Sequence, residues 1–230
     1  GKNDKAVRQL ELTYGGGKTH TLITLRHLVS DPAHLPDLPA VGEFLQEIGF
    51  VPPACRVVGL CFDKIDPEVG IEVQAPDGKL RRLKHPWSIL AYQLAGDPGL
   101  ALIHADHAAE ERITPPAESL MAELLAWPAK EGLATLVLID EVLIFARQKY
   151  TLDPAWQGIL QDFFQYLTQA ASKTPRCCLV ASLLASDPAK NDATGMTLQS
   201  ELAAIFQRQK EETIEPVVKE DVAEVLKRRF

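Results

Sequence analysis

Long hydrophobic runs are missing from this chain. No stretch approaches the roughly 18–20 apolar residues that a membrane-spanning helix needs, so no membrane partner is expected. An excess of positive charge is missing too. With 24 Lys+Arg against 31 Asp+Glu and a formal net charge of −7, the chain is a poor general coat for nucleic acid, and contact with DNA would need a local basic patch. Cysteine is scarce, four in 230 residues, with no C-x-x-C pair and no spacing that completes a zinc site. Cys55, Cys61, Cys177 and Cys178 all fall in apolar, β-branched stretches. They read as four buried, reduced thiols behaving as small hydrophobes, which points to a cytoplasmic setting. The start, Gly1-Lys2-Asn3-Asp4-Lys5, is too polar for a signal peptide. Repeats and low-complexity tracts are lacking as well. What is present, 46% apolar and 24% charged residues, is a globular composition with ample material for a core.

Along the chain, short β-branched runs alternate with helical stripes. Residues 6–13 predict a strand ending in Tyr14-Gly15-Gly16-Gly17-Lys18-Thr19, and Leu22, Leu25, Leu28 and Val29 then recur at helical spacing until Ser30-Asp31-Pro32. A second amphipathic helix carries Val41, Phe44, Leu45 and Ile48, and residues 56–62 predict a buried strand. Ala75-Pro76-Asp77-Gly78 predicts the turn of a hairpin within a polar insertion, residues 70–84. A helix opens at Pro86 and ends at Gly96-Asp97-Pro98-Gly99, and another aligns Ala117, Leu120, Met121, Leu124 and Leu125. The most apolar run, 133–139, ends in Asp140-Glu141; a long helix follows from Asp153 and Pro154, then a buried strand over 177–182. A helix carries Leu198, Leu202, Ile205 and Phe206, followed by a short strand within 213–218 and a last helix over 219–229. Uniformly apolar strands between amphipathic helices predict a mostly parallel sheet covered on both faces, an α/β/α sandwich. In such a sheet ligands gather at the strand C-termini, where three of the polar signals fall.

The first is the glycine run between a strand and a helix. Successive glycines let amide groups turn inward, and a helix beginning near Lys18 adds the positive end of its dipole, so the segment reads as a phosphate loop. Lys18 would place an ammonium between the β- and γ-phosphates and the Thr19 hydroxyl would ligate Mg²⁺. The usual first glycine of the motif is replaced by Leu12, a departure that the Gly15-Gly16-Gly17 run offsets. His20, in the first turn of that helix, reads as a packing or supporting residue. The second signal is Asp140-Glu141: Asp140 placed to hold Mg²⁺, Glu141 to polarise an attacking water, a pairing that favours hydrolysis over transfer to an acceptor. The third is Ser182, at a strand end, competing with Ser186 for a role near the γ-phosphate. Arg208, closing a helix, could act on a nucleotide held by a neighbouring subunit, with Arg112, Arg147 and Arg176 as rivals. Lys79, Arg81, Arg82 and Lys84 on the hairpin could touch DNA or an acidic protein, or be solvated surface, the reading slightly preferred.

The order of these elements resembles the core of an AAA+-type P-loop ATPase. More narrowly, the Tyr14–Leu22, His85–Leu94 and Leu138–Val142 segments, with Glu215-Pro216-Val217 and residues 222–230, resemble a prokaryotic family of large ATPases. That family has long been catalogued only as a domain of unknown function and is often encoded beside DNA methyltransferases in phage-defence clusters. The resemblance implies a P-loop core over 1–218 with its hairpin insertion, the start of a truncated helical lid over 219–230, and ATP and Mg²⁺ as ligands. It further implies sensor and finger roles for Ser182 and Arg208, homo-oligomers closed through the ATP site, and hydrolysis that drives remodelling of DNA or a protein complex. The alternative is an ATP-gated interaction scaffold with negligible hydrolysis; a small-molecule kinase is disfavoured because no acceptor site is visible.

Overall fold

Seven consecutive buried residues, Ala134–Asp140, form the most enclosed strand, because an apolar run with no alternation is stable only where both faces are covered. The structure, a computed structural model, describes residues 6–10, 17–104, 111–182, 193–208 and 213–214. In chain order its elements are β1 (Val7–Leu10), α1 (Lys18–Ser30), α2 (Pro39–Ile48), β2 (Cys55–Cys61), β3 (Ile71–Gln74), β4 (Leu80–Leu83), α3 (Pro86–Ala95), α4 (Asp97–His104), α5 (Glu118–Leu125), β5 (Ala134–Asp140), α6 (Val142–Leu152), α7 (Trp156–Lys173), β6 (Cys177–Ala181), α8 (Ala193–Arg208) and β7 (Thr213–Ile214). The main sheet runs β2-β5-β6-β1-β7 with every pairing parallel, so all five strands end at one edge.

Alternation along the strands divides the core in two. Val58, Leu60, Val137, Ile139, Leu179 and Ala181 face the larger cluster, completed by Leu90, Leu124, Phe163 and Leu167 from α3, α5 and α7. Leu136, Leu138, Val180 and Leu10 face the other way and meet Leu22 of α1. The predicted hairpin is a separate two-stranded antiparallel sheet, Ile71 opposite Leu83 and Gln74 opposite Leu80. The proposed lid segment, 219–230, lies outside the described residues, as do Tyr14, Gly15, Gly16 and Ser186. Among the described residues no helix is long and apolar enough to cross a membrane.

Two expectations need correcting. The cysteines are free, but only Cys177 is buried; Cys55 and Cys178 are half-buried, and Cys61 is exposed because β2 is an edge strand. The reading from sequence also left two helices unassigned. Gly96-Asp97-Pro98-Gly99 is no loop but a junction at which α4 starts immediately behind the Gly96 cap of α3, and α6 occupies residues between Glu141 and Asp153.

Candidate functional site

Asp140 ends β5 on the face shared with Leu136 and Leu138, the face that α1 covers. There the Thr19 Oγ1 hydroxyl donates to Asp140 Oδ2 at 2.9 Å, across 121 residues of sequence. The other carboxylate oxygen, Oδ1, accepts the Glu141 N–H at 3.1 Å. The parallel register brings a chain end and a helix start together: strands deliver Asp140 and Cys61 side by side, and α1 delivers Lys18 and Thr19 above them.

Two helix N-termini flank this contact. Gly17 caps α1 and Glu141 caps α6, both in the left-handed region (φ 81° and 56°) and neither with a side-chain capping bond. Helix caps normally take extended backbone and supply a side-chain oxygen to the first amides. At α1 the cap is Gly17, which has no side chain to supply that oxygen, an arrangement open to an anion. The left-handed conformation is easy for Gly17 and strained for Glu141, a strain typical of functional sites. Lys18 is buried, whereas Thr19 and His20 are exposed beside it.

Ser182 continues the alternation of Cys178 and Val180, and its N–H donates to Ile139 O at 2.8 Å, so it extends the ladder one residue past β6 on the Asp140 face. Its buried hydroxyl has no hydrogen-bond partner among the described residues, a costly arrangement for a structural serine. Arg208 is the last residue of α8, whose Leu202 and Phe206 are buried in the core; only its backbone position is described. Its rivals lie elsewhere. Arg112 binds Ile103 O at 2.9 Å, and Arg176 binds Gly132 O at 3.0 Å at the opposite end of the sheet from Asp140. Arg147 sits on α6.

Neighbours that the sequence did not single out also meet here. Although the residue as a whole is exposed, partial desolvation of its thiol holds Cys61 above its ordinary range, with Asp140 and Asp63 adding to the effect. Lys64 pairs with Asp63 at 2.6 Å; this hydrogen bond holds its ammonium above the usual value, and the Glu141 carboxylate contributes. Gln9 of β1 is also buried with its carbonyl oxygen unpartnered among the described residues, but it alternates with Leu10 and so lies on the sheet face opposite Asp140. The basic hairpin, by contrast, is locally balanced: Lys79 pairs with Asp77 at 3.0 Å and with Asp97 at 3.9 Å, and Arg81 with Asp97 at 3.5 Å.

The fold and site thus define an α/β chain with a parallel sheet whose polar residues converge at the strand C-termini. A family model describes residues 1–213, and the chain belongs to that family, the DUF499 N-terminal domain. No curated protein and no solved structure matches it.

Proposed function

We propose that this chain is a P-loop ATPase module of the AAA+ type that binds Mg-ATP and hydrolyses it, the energy serving to remodel DNA or a protein complex. One observation carries the reading: a hydroxyl from the first turn of α1 and the carboxylate ending β5 meet at 2.9 Å between two helix N-termini without side-chain caps. The sheet order supports it, since β6, with Ser182 at its end, lies between the strand leading to Gly17 and the strand ending in Asp140.

The donors at that meeting point are a hydroxyl and a carboxylate, hard oxygens of the kind Mg²⁺ selects, so Thr19 and Asp140 would hold the ion. Bound there, it would neutralise charge on the phosphate oxygens. Gly17 and the first amides of α1 would accept the phosphate tail, and the Lys18 ammonium would sit against it. Glu141 would take a proton from the attacking water as general base, held by its place at the start of α6. Ser182 would hydrogen-bond the terminal phosphate or the water, and Arg208 would serve a neighbouring copy.

The test is a titration with a fluorescent ATP analogue, with and without Mg²⁺, alongside phosphate release, on this chain. Binding that strengthens with Mg²⁺, is lost in Lys18→Ala, and survives in Glu141→Gln while turnover disappears is expected. Unchanged affinity in Lys18→Ala would overturn the site. Binding without turnover would favour the ATP-gated scaffold.

A further inference from the structure

The outer edge of β2 carries a second feature, independent of the nucleotide reading. The Ala134 N–H donates to Ala54 O at 2.9 Å, and this fixes the parity of the ladder. Even-numbered residues of β2 turn their peptide groups toward β5, and odd-numbered residues turn theirs outward, because successive peptides in a strand point to opposite sides. Cys55, Val57, Gly59 and Cys61, the outward set, all line a groove of about 570 Å³. An edge with exposed peptide groups is a template for another strand.

At one point the template is already filled. The Gln93 side chain accepts the Gly59 N–H at 2.9 Å and donates to Gly59 O at 3.1 Å, the two bonds that a peptide of an added strand would make. The groove walls differ in chemistry. Arg26 and Ser30 of α1 form one, while Ile71 and Val73 of the hairpin and Ile89 of α3 form the other. Arg56 and Lys64 stand toward its two ends, and Glu72 is the one carboxylate in its lining. Arg56 pairs with Glu131 at 2.5 Å yet keeps a buried Nε–H without a hydrogen-bond partner. Arg26 has no hydrogen-bond or ion-pair partner for its guanidinium among the described residues.

We infer that the β2 edge is a docking groove for an extended peptide segment with alternating acidic and apolar side chains, which adds as a sixth strand to the sheet and displaces the Gln93 amide. The alternation follows from the walls: side chains of an added strand point by turns toward Arg26 and toward the Ile71–Ile89 surface. Acidic rather than basic residues are selected on the α1 wall by Arg26, the lining cation without an ion-pair partner among the described residues, since Arg56 and Lys64 are paired with Glu131 and Asp63.

The probe is a fluorescein-labelled hexapeptide of alternating Glu and Val, read by anisotropy against an alternating Lys and Val control, with no nucleotide present. Saturable binding of the acidic peptide is expected. Gln93→Ala should tighten it about fivefold by freeing the Gly59 groups, and Arg26→Glu should weaken it about fivefold. Both substitutions are at the surface and leave the ladder intact; circular dichroism confirms the fold. Absence of binding to both the parent chain and Gln93→Ala overturns the inference, as does equal binding of the Lys peptide. Concentration-dependent dimerisation of Gln93→Ala with no peptide binding would assign the edge to a second copy instead.

Discussion

Glu141 is the residue at which local preference and position conflict most openly. Its backbone is left-handed at φ 56°, and among the described residues other than glycine only Arg176, at φ 57°, shares that region. A side chain there costs roughly 1–2 kcal/mol that glycine avoids. Glu141→Gly should therefore be more stable than Glu141→Ala by about 1 kcal/mol in urea denaturation, and the same difference should appear between the two substitutions at Arg176. The positions separate on activity. Under the ATPase reading every Glu141 variant loses phosphate release, whereas Arg176→Gly, at the far end of the sheet, retains it. Loss of turnover at both positions would mean that the strain serves folding rather than chemistry.

At the scale of elements, the α3–α4 junction and the packing around His85 show what the sequence could and could not disclose. The strands, the hairpin and α1 were legible because each follows a single cue: an apolar run, an alternating pair flanking Asp77-Gly78, or a helical stripe after a glycine run. The α4 helix was not, because Gly96-Asp97-Pro98-Gly99 has the composition of a loop. In the fold Gly96 caps α3 at φ 63°, and Gly99 is the point of closest approach, where an added Cβ would lie 2.3 Å from Ala91 O. Gly99→Ala should destabilise by about 1–3 kcal/mol through forced separation of α3 and α4, seen as a lower urea midpoint. Thr19, Asp140 and Glu141 were named from sequence because a glycine run and a strand-ending acid pair are local signals; Cys61 was not, because only the sheet register brings it beside Asp140.

The His85 cluster is likewise tertiary. His85 stacks on Trp87 at 5.0 Å and on Trp156 at 5.5 Å, while Lys149 donates to Pro67 O and sits 4.3 Å from the centre of the Trp156 ring. Burial lowers the His85 imidazole to about 4, with Glu111 opposing and Lys149, His104 and Lys84 reinforcing the shift. The native chain thus binds fewer protons than the unfolded one between roughly pH 4 and 6.5, and stability falls as pH drops through that window. His104 adds in the same direction: its Nδ1 accepts the Arg112 N–H at 2.9 Å, so its proton lies on Nε2 toward Ser88 Oγ. Denaturation midpoints at pH 7 and 4.5 should differ less in His85→Phe, which keeps the stacking and removes the titration; an unchanged difference would shift the acid sensitivity to other groups.

Across the whole molecule, the candidate site is assembled from parts far apart in sequence: the start of α1, the ends of β5 and β6, and the start of α6. A ligand held by all of them couples the two faces of the sheet, because α1 belongs to the smaller core cluster and α6 to the larger. Under the proposed ATPase reading, nucleotide should accordingly stabilise the chain globally. At a concentration a hundredfold above its dissociation constant a ligand adds about 2.7 kcal/mol, and for a chain of this size each kcal/mol raises the melting temperature by roughly 2–4 °C. Mg-ATP should thus raise the midpoint by about 5–10 °C, ATP with chelator by less, and neither should shift Lys18→Ala. Asp140→Asn should lose the part of the shift that depends on Mg²⁺ while retaining some of the rest, since Lys18 and the α1 amides are untouched. The hairpin gives the contrasting expectation. With Lys79 and Arg81 already balanced by Asp77 and Asp97, replacing Lys79, Arg81 and Arg82 with alanine should leave the nucleotide-induced shift intact. Equal loss of that shift in the hairpin variant and in Lys18→Ala would mean that the stabilisation comes from nonspecific binding of polyanion rather than from a phosphate tail at the start of α1.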